Sequence, residues 1–329
     1  MEALIYSLNA IIPIIVTVVI GYLLKRIGFV NESFAKTANK LVFRIFLPAM
    51  LFLNVYQIDD LGGMDLGIVV YSVIAVLIVF LIALPAVILF TKKNEHRGAL
   101  LQVAFRSNFA LIGLPLAQAL YGDEGVAVAS LLSAVTIPMF NVLAVISLSV
   151  FRKEGGKPNP KKILLDVLKN PLIQSVAAGL ISLAIRSLLV KQGIAFRLSD
   201  VKPLFSVLNY LSRLATPLAL ICLGAQFEFS VVGTLKREIV FGTVVRTLIV
   251  PVTCLGAAYI LFSKTWGGAA FAALVALFAT PVAVSSVPMT QEMGGDTQLA
   301  GQLVVWTTLI SAFSIFASAF FLRLAGVLG

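Results

Sequence analysis

The chain has 329 residues, of which 60% are hydrophobic and only 12% charged, with a mean hydropathy of +1.03. No water-soluble core absorbs that much apolar surface, so the composition excludes a soluble domain and indicates an all-α membrane protein. The net charge of +10 does not imply a nucleic-acid partner, because the basic residues fall between apolar runs in the pattern that cytoplasmic retention of Lys and Arg produces.

Apolar runs of about 20 residues, long enough to cross the lipid bilayer as helices, are expected at ten places. They are centred near Thr17, Leu47, Leu77, Ala110, Val135, Ala178, Leu214, Val250, Val282 and Ala312. The first run is followed, not preceded, by its positive residues Lys25 and Arg26, which is the reverse of a cleaved signal peptide. With the N-terminus outside, the cytoplasmic segments collect Lys36 and Lys40, then Lys92, Lys93 and Arg97, then the basic residues of 151–162, then Lys236 and Arg237. The stretch 186–202, mixed apolar and basic, is the exception and suits a short helix lying at the interface. Cys222 and Cys254 fall inside spans and read as small apolar packers, so no disulfide framework is implied.

Residues 98–136 recur, without a gap, at 271–309. The matching pairs include Phe105/Phe278, Pro115/Pro288, Gln118/Gln291, Gly122/Gly295 and Asp123/Asp296. Apolar composition supplies alanine and leucine matches by chance, but not Pro, Gln, Gly and Asp at one offset. Elsewhere Pro13 and Gly21 match Pro171 and Gly179, and Arg44 and Pro48 match Arg213 and Pro217. The polar stretch FRKEGGKPNPKK at 151–162 is a linker that cannot continue a membrane helix. It separates a first five-helix repeat, 1–150, from a second, 163–329. Because the members of each pair stand five spans apart, an odd number, the halves are expected to enter the membrane from opposite faces, as an inverted-topology repeat.

A proline inside a membrane helix removes a backbone donor and clashes with the preceding turn, so the fourth and ninth spans are expected to break at Pro115 and Pro288. Paired interrupted helices of this kind mark a transporter's binding site. Around the first break stand Arg106, Ser107, Asn108 and Gly113, and around the second Thr280, Pro281, Ser285 and Ser286. Unwound backbone needs a partner, which a bound anion supplies, and half-helix N-termini favour a carboxylate. Asn108 is the first candidate ligand, with helix–helix hydrogen bonding as the alternative. Arg106 either faces an anionic substrate or snorkels, as Arg44, Arg213 and Arg246 are expected to do from similar depths.

No carboxylate is expected mid-membrane to carry a proton. Asp123 and Asp296 each follow a glycine before a helix and read as N-caps. Gln118, Gln291 and Glu292 offer oxygens to a coupling sodium, so proton coupling, sodium coupling and uniport all stay open. The sole histidine, His96, is expected in a charged loop, and no motif for metal, cofactor or nucleophilic chemistry is present, so the chain does not read as an enzyme.

The string SNFALIGLPLAQALYGDEG resembles the corresponding segment of the auxin efflux carrier family, in which an Asn, a Gly and a Pro at this spacing precede a Tyr-Gly pair. NPLIQSVAAGLI, LATPLALICLGAQF and TTLIS are similar to that family's later spans, so the likeness covers essentially the whole chain. The short linker is closer to bacterial members than to the plant PIN-type carriers. The resemblance implies ten transmembrane helices in two inverted five-helix repeats, with crossed, broken helices four and nine. It also implies a homodimer in the plasma membrane that exports or exchanges small organic anions. Bacterial relatives are associated with dicarboxylates such as malate and malonate. The bile acid sodium symporters have a related fold and suggest a sodium-coupled alternative.

Overall fold

The structure, a computed structural model, describes residues 2–57, 66–151 and 160–328. The linker expected at 151–162 lies almost wholly outside the described residues. Twelve helices of seven or more residues organise the described residues: α1 (Glu2–Arg26), α2 (Glu32–Tyr56), α3 (Leu66–Phe90), α4 (Asn94–Phe105), α5 (Phe109–Val150), α6 (Pro160–Lys169), α7 (Pro171–Lys191), α8 (Lys202–Gln226), α9 (Lys236–Phe262), α10 (Gly268–Phe278), α11 (Ser286–Glu292) and α12 (Thr297–Leu324). Seven of them, α2, α3, α5, α7, α8, α9 and α12, are long and apolar enough to cross a membrane. In α3 none of the 25 residues is charged, and Leu81, Ile82 and Leu89 are exposed, as a lipid-facing helix requires.

The segment α5 is two helices, not one. Tyr121 and Gly122 leave helical geometry, Gly122 with a φ of +59°. Eight residues of continuous helix would rise about 12 Å. A Cβ on Gly125 would nevertheless lie 2.5 Å from the carbonyl of Ala117, so the chain folds back on itself there.

Close helix crossings need small residues. Gly21 lets α1 rest on the backbone of α8 at Ile221, and Gly179 lets α7 rest on α2, where a Cβ would come within 3.1 Å of the Phe52 carbonyl. Three helical stretches widen into π turns, at Val42–Phe46, Phe109–Gly113 and Val245–Ile249. Each is followed two residues later by a proline, Pro48, Pro115 and Pro251. The missing proline N–H removes one rung of the ladder, and the wider turn absorbs the loss.

Two expectations are corrected here. Pro115 and Pro288 do not mark the breaks: Pro115 lies past the first turn of α5, where the π turn at Phe109–Gly113 absorbs its missing donor, and Pro288 lies in the first turn of α11, where a missing donor is tolerated. Within 186–202, where a short interfacial helix was expected, α7 runs on to Lys191, Gly193 with φ +79° ends it, and only a three-residue 3-10 turn at Leu198–Asp200 follows.

Candidate functional site

The interruptions lie at Arg106–Asn108, between α4 and α5, and at Ala279–Ser285, between α10 and α11. They meet. Ser107 and Val282 pair as an isolated antiparallel bridge, and the Asn108 N–H donates to the Pro281 carbonyl at 2.7 Å. Backbone groups freed by one break thus satisfy those freed by the other, and the Val282 N–H finds the Thr307 hydroxyl at 3.3 Å.

Two buried arginines serve this crossing in different ways. Arg246, 1% exposed, donates from Nε to the Thr280 carbonyl at 2.8 Å, from Nη2 to Leu277 at 3.0 Å and from Nη1 to Ala104 at 3.4 Å. These are the orphan carbonyls at the C-terminal ends of α10 and α4, where the helix dipoles are negative. Arg246 is therefore a shared cap, which corrects the snorkelling expected of it. It lies deep in its helix because its partners do.

Arg106, 3% exposed, is held only by neutral acceptors: Gln102 Oε1 at 3.1 Å, Met289 Sδ at 2.9 Å, Asn141 Oδ1 at 2.9 Å and Ser285 Oγ at 2.9 Å. Among the described residues no carboxylate lies within salt-bridge distance of it. Arg106, Ser107, Asn108 and Ser285 line a cavity of about 190 Å³, which α2 closes with Met50 and Asn54 and α8 with Thr216. In that wall the Asn108 side-chain amide nitrogen and the Ser107 hydroxyl are buried without a partner. A cation, an amide donor and a hydroxyl thus converge on one small space, and buried polar groups left unpaired are costly. The combination suits an anion with two or more oxygens.

Of the residues singled out in sequence, Arg106, Ser107, Asn108 and Ser285 line the cavity, whereas Gly113, Pro115, Thr280, Pro281, Ser286 and Pro288 do not. Gly113 serves packing instead, since a Cβ there would lie 2.9 Å from the Ala276 carbonyl of α10. Thr280 donates its hydroxyl to the Ala276 carbonyl, and Pro281 contributes only its own carbonyl. The Ser286 hydroxyl is buried without a partner, away from the cavity lining. The three residues considered for ion coupling do not converge. Gln118 donates to Asp123 at 3.0 Å, Gln291 is bonded to Asn39 and Gln226, and Glu292 faces Arg44 at 3.5 Å. Asn54 and Asn141 were missed because a single polar residue on an apolar helix carries no periodic signal.

His96 is not in a loop. It lies in the first turn of α4, 2% exposed, with Nδ1 3.3 Å from Glu238 and Nε2 3.1 Å from Asp296. Both ring nitrogens face carboxylates, so the imidazolium is the form that fits, and the Asp296 hydrogen bond foremost raises its pKa above the ordinary value. For Asp296, burial pushes upward, but the His96 bond and the Leu299 N–H that it caps hold its pKa below the usual one.

A family model described as membrane transport protein matches residues 6–317. A protein of Methanothermobacter thermautotrophicus named as an uncharacterized transporter is 24% identical over 314 residues, covering 94% of this chain and 96% of the relative. A second uncharacterized transporter, from Methanocaldococcus jannaschii, is 28% identical over 228 residues, 67% of this chain and 69% of its own length.

Proposed function

The chain belongs to the membrane transport protein family, that of the auxin efflux carriers, and from that premise we propose that it is a secondary transporter of small organic anions, mono- or dicarboxylates. It is an integral multi-pass membrane protein and a transporter, not an enzyme. The observation that carries the anion assignment is Arg106, a buried cation with only neutral partners, beside the unpaired amide of Asn108. A carboxylate in the cavity supplies the missing charge and accepts both donors.

The architecture we infer is ten spans in two inverted five-helix repeats, in the plasma membrane, with α4–α5 and α10–α11 as the crossed, broken pair. Equivalent contacts support the symmetry: Gly21 meets Ile221 while its repeat mate Gly179 meets Phe52, and Phe52 and Ile221 are separated by the same 169 positions as Arg44 and Arg213. Transport proceeds by alternating access, as the unit containing the crossing moves against α1, α2, α7 and α8. A homodimer belongs to this reading as an expectation from the resemblance. Sodium coupling draws little support from Gln118, Gln291 and Glu292: the oxygens of Gln291 and Glu292 are engaged by Asn39, Gln226 and Arg44, and Gln118 is exposed and bonded to Asp123. A thermal-shift screen of organic acids on purified protein tests the assignment. Stabilisation by carboxylates is expected, and stabilisation only by amines or neutral solutes overturns it.

A further inference from the structure

On the side of the crossing nearer Lys36, three amides tie the moving unit to the helices around it. Asn39 of α2 donates to Gln226 of α8 and to Gln291 of α11, both at 3.0 Å. Gln226 donates to Gln291 at 3.2 Å, and Gln291 donates to the Lys36 carbonyl at 3.1 Å. Asn39 is fully buried in this knot.

Each member has a counterpart of the same kind in the other repeat. Gln291 matches Gln118 at the offset of 173, and Gln226 matches Gln57 at the offset of 169 that relates Arg213 to Arg44. Before the π turn at Val42–Phe46, which adds one residue to α2 and has no equivalent in α8, the offset becomes 170 and Asn39 matches Asn209. Asn and Gln make up only 19 of the 329 residues, so three coincident amide pairs are not a product of composition. The second trio is not assembled here. Gln118 is exposed and bonded to Asp123, Gln57 is exposed, and Asn209 donates to the Phe205 carbonyl of its own helix.

We propose that these residues form two alternating amide locks: Asn39–Gln226–Gln291 closes the Lys36 side in the state described, and Asn209–Gln57–Gln118 closes the opposite side in the other state. The proposal rests on the transport reading above and adds the residues that hold each state. Neutral hydrogen bonds hold a conformation yet can be exchanged, unlike buried ion pairs, and like chemistry on both sides keeps the two states close in free energy.

The test is disulfide trapping in proteoliposomes, in a full-length chain with Cys222→Ala and Cys254→Ala. One protein carries Asn39→Cys with Gln291→Cys, the other Gln57→Cys with Gln118→Cys. Both pairs are expected to cross-link under copper phenanthroline. Adding Asn39→Ala and Gln291→Ala to the second protein is expected to speed its cross-linking at least threefold, and Asn209→Ala to speed that of the first. Failure of the 57/118 pair to cross-link, or a rate indifferent to loss of the first lock, overturns the proposal, provided that the preparation elutes as one species and the 39/291 pair still closes in its own protein. Because the readout needs no substrate, a cargo other than a carboxylate would sink the anion reading and leave this result standing.

Discussion

The backbone amide of Asn108 donates to the carbonyl of Pro281, and the two residues occupy the same place in the two copies of the repeat, 173 positions apart. The neighbouring bridge between Ser107 and Val282 is antiparallel about that bond. Two interrupted helices are thereby joined where both have lost their own hydrogen-bond ladders, and the side chains that flank the joint, Arg106 and Asn108, face one cavity.

Arg106→Ala is expected to weaken carboxylate binding by 10- to 100-fold, from the loss of about 1.5–3 kcal/mol of charge-assisted hydrogen bonding. Arg106→Lys is expected to recover only part of this, because an ammonium does not reproduce the guanidinium fork toward Gln102, Asn141 and Ser285. Isothermal titration of the best-stabilising acid measures both. Equal affinity in wild type and Arg106→Ala would remove Arg106 from the site.

Asn108→Ala is expected to cost roughly 1 kcal/mol, or about fivefold in affinity, with little change in thermal stability. Its side-chain nitrogen has no protein partner to lose, so the penalty belongs to substrate binding. A fall in melting temperature with unchanged affinity would make Asn108 a structural residue.

Arg246→Ala acts differently. It leaves three buried carbonyls, of Ala104, Leu277 and Thr280, without their donor, and is expected to destabilise the protein by about 3 kcal/mol or more. Arg44, exposed and paired with Glu292 at 3.5 Å, serves as the comparison, since a surface pair contributes about 0–1 kcal/mol. Melting in detergent should rank Arg246→Ala far below Arg44→Ala, and similar melting temperatures would refute the shared cap.

Seven apolar spans and the region of the two interruptions were legible in the sequence because each depends on local pattern: apolar length for α2 or α9, and a proline-bearing segment that recurs at 98–136 and 271–309. The exact break was not, since proline at 115 advertises a lost donor that the π turn at Phe109–Gly113 accommodates. Arg246 read as snorkelling because depth alone does not reveal that carbonyls from two other helices converge on it. His96, flanked by Asn94, Glu95 and Arg97, read as a loop residue, while its partners Glu238 and Asp296 lie far along the chain.

That histidine gives the protein a pH dependence of defined sign. Its folded pKa is raised, so its stabilisation is complete below the unfolded value of about 6.5 and is lost as pH rises through the folded value. Burial and, less, Lys93 work against the shift, and the two carboxylates outweigh them. The lowered pKa of Asp296 adds stability that is lost only as pH falls through its own folded value. The melting temperature is expected to fall as pH rises above about 6.5 in wild type and to flatten in His96→Gln. An identical slope in the two proteins would mean that His96 is not the titrating group.

Competition for uptake into liposomes tests the central claim most directly. Reconstituted protein should accumulate a labelled carboxylate, other mono- or dicarboxylates should compete, their amides and amines should not, and Arg106→Ala should abolish the selective component. Competition by amines or neutral solutes with indifference to carboxylates would contradict the account, leaving a transporter whose cargo is not an anion.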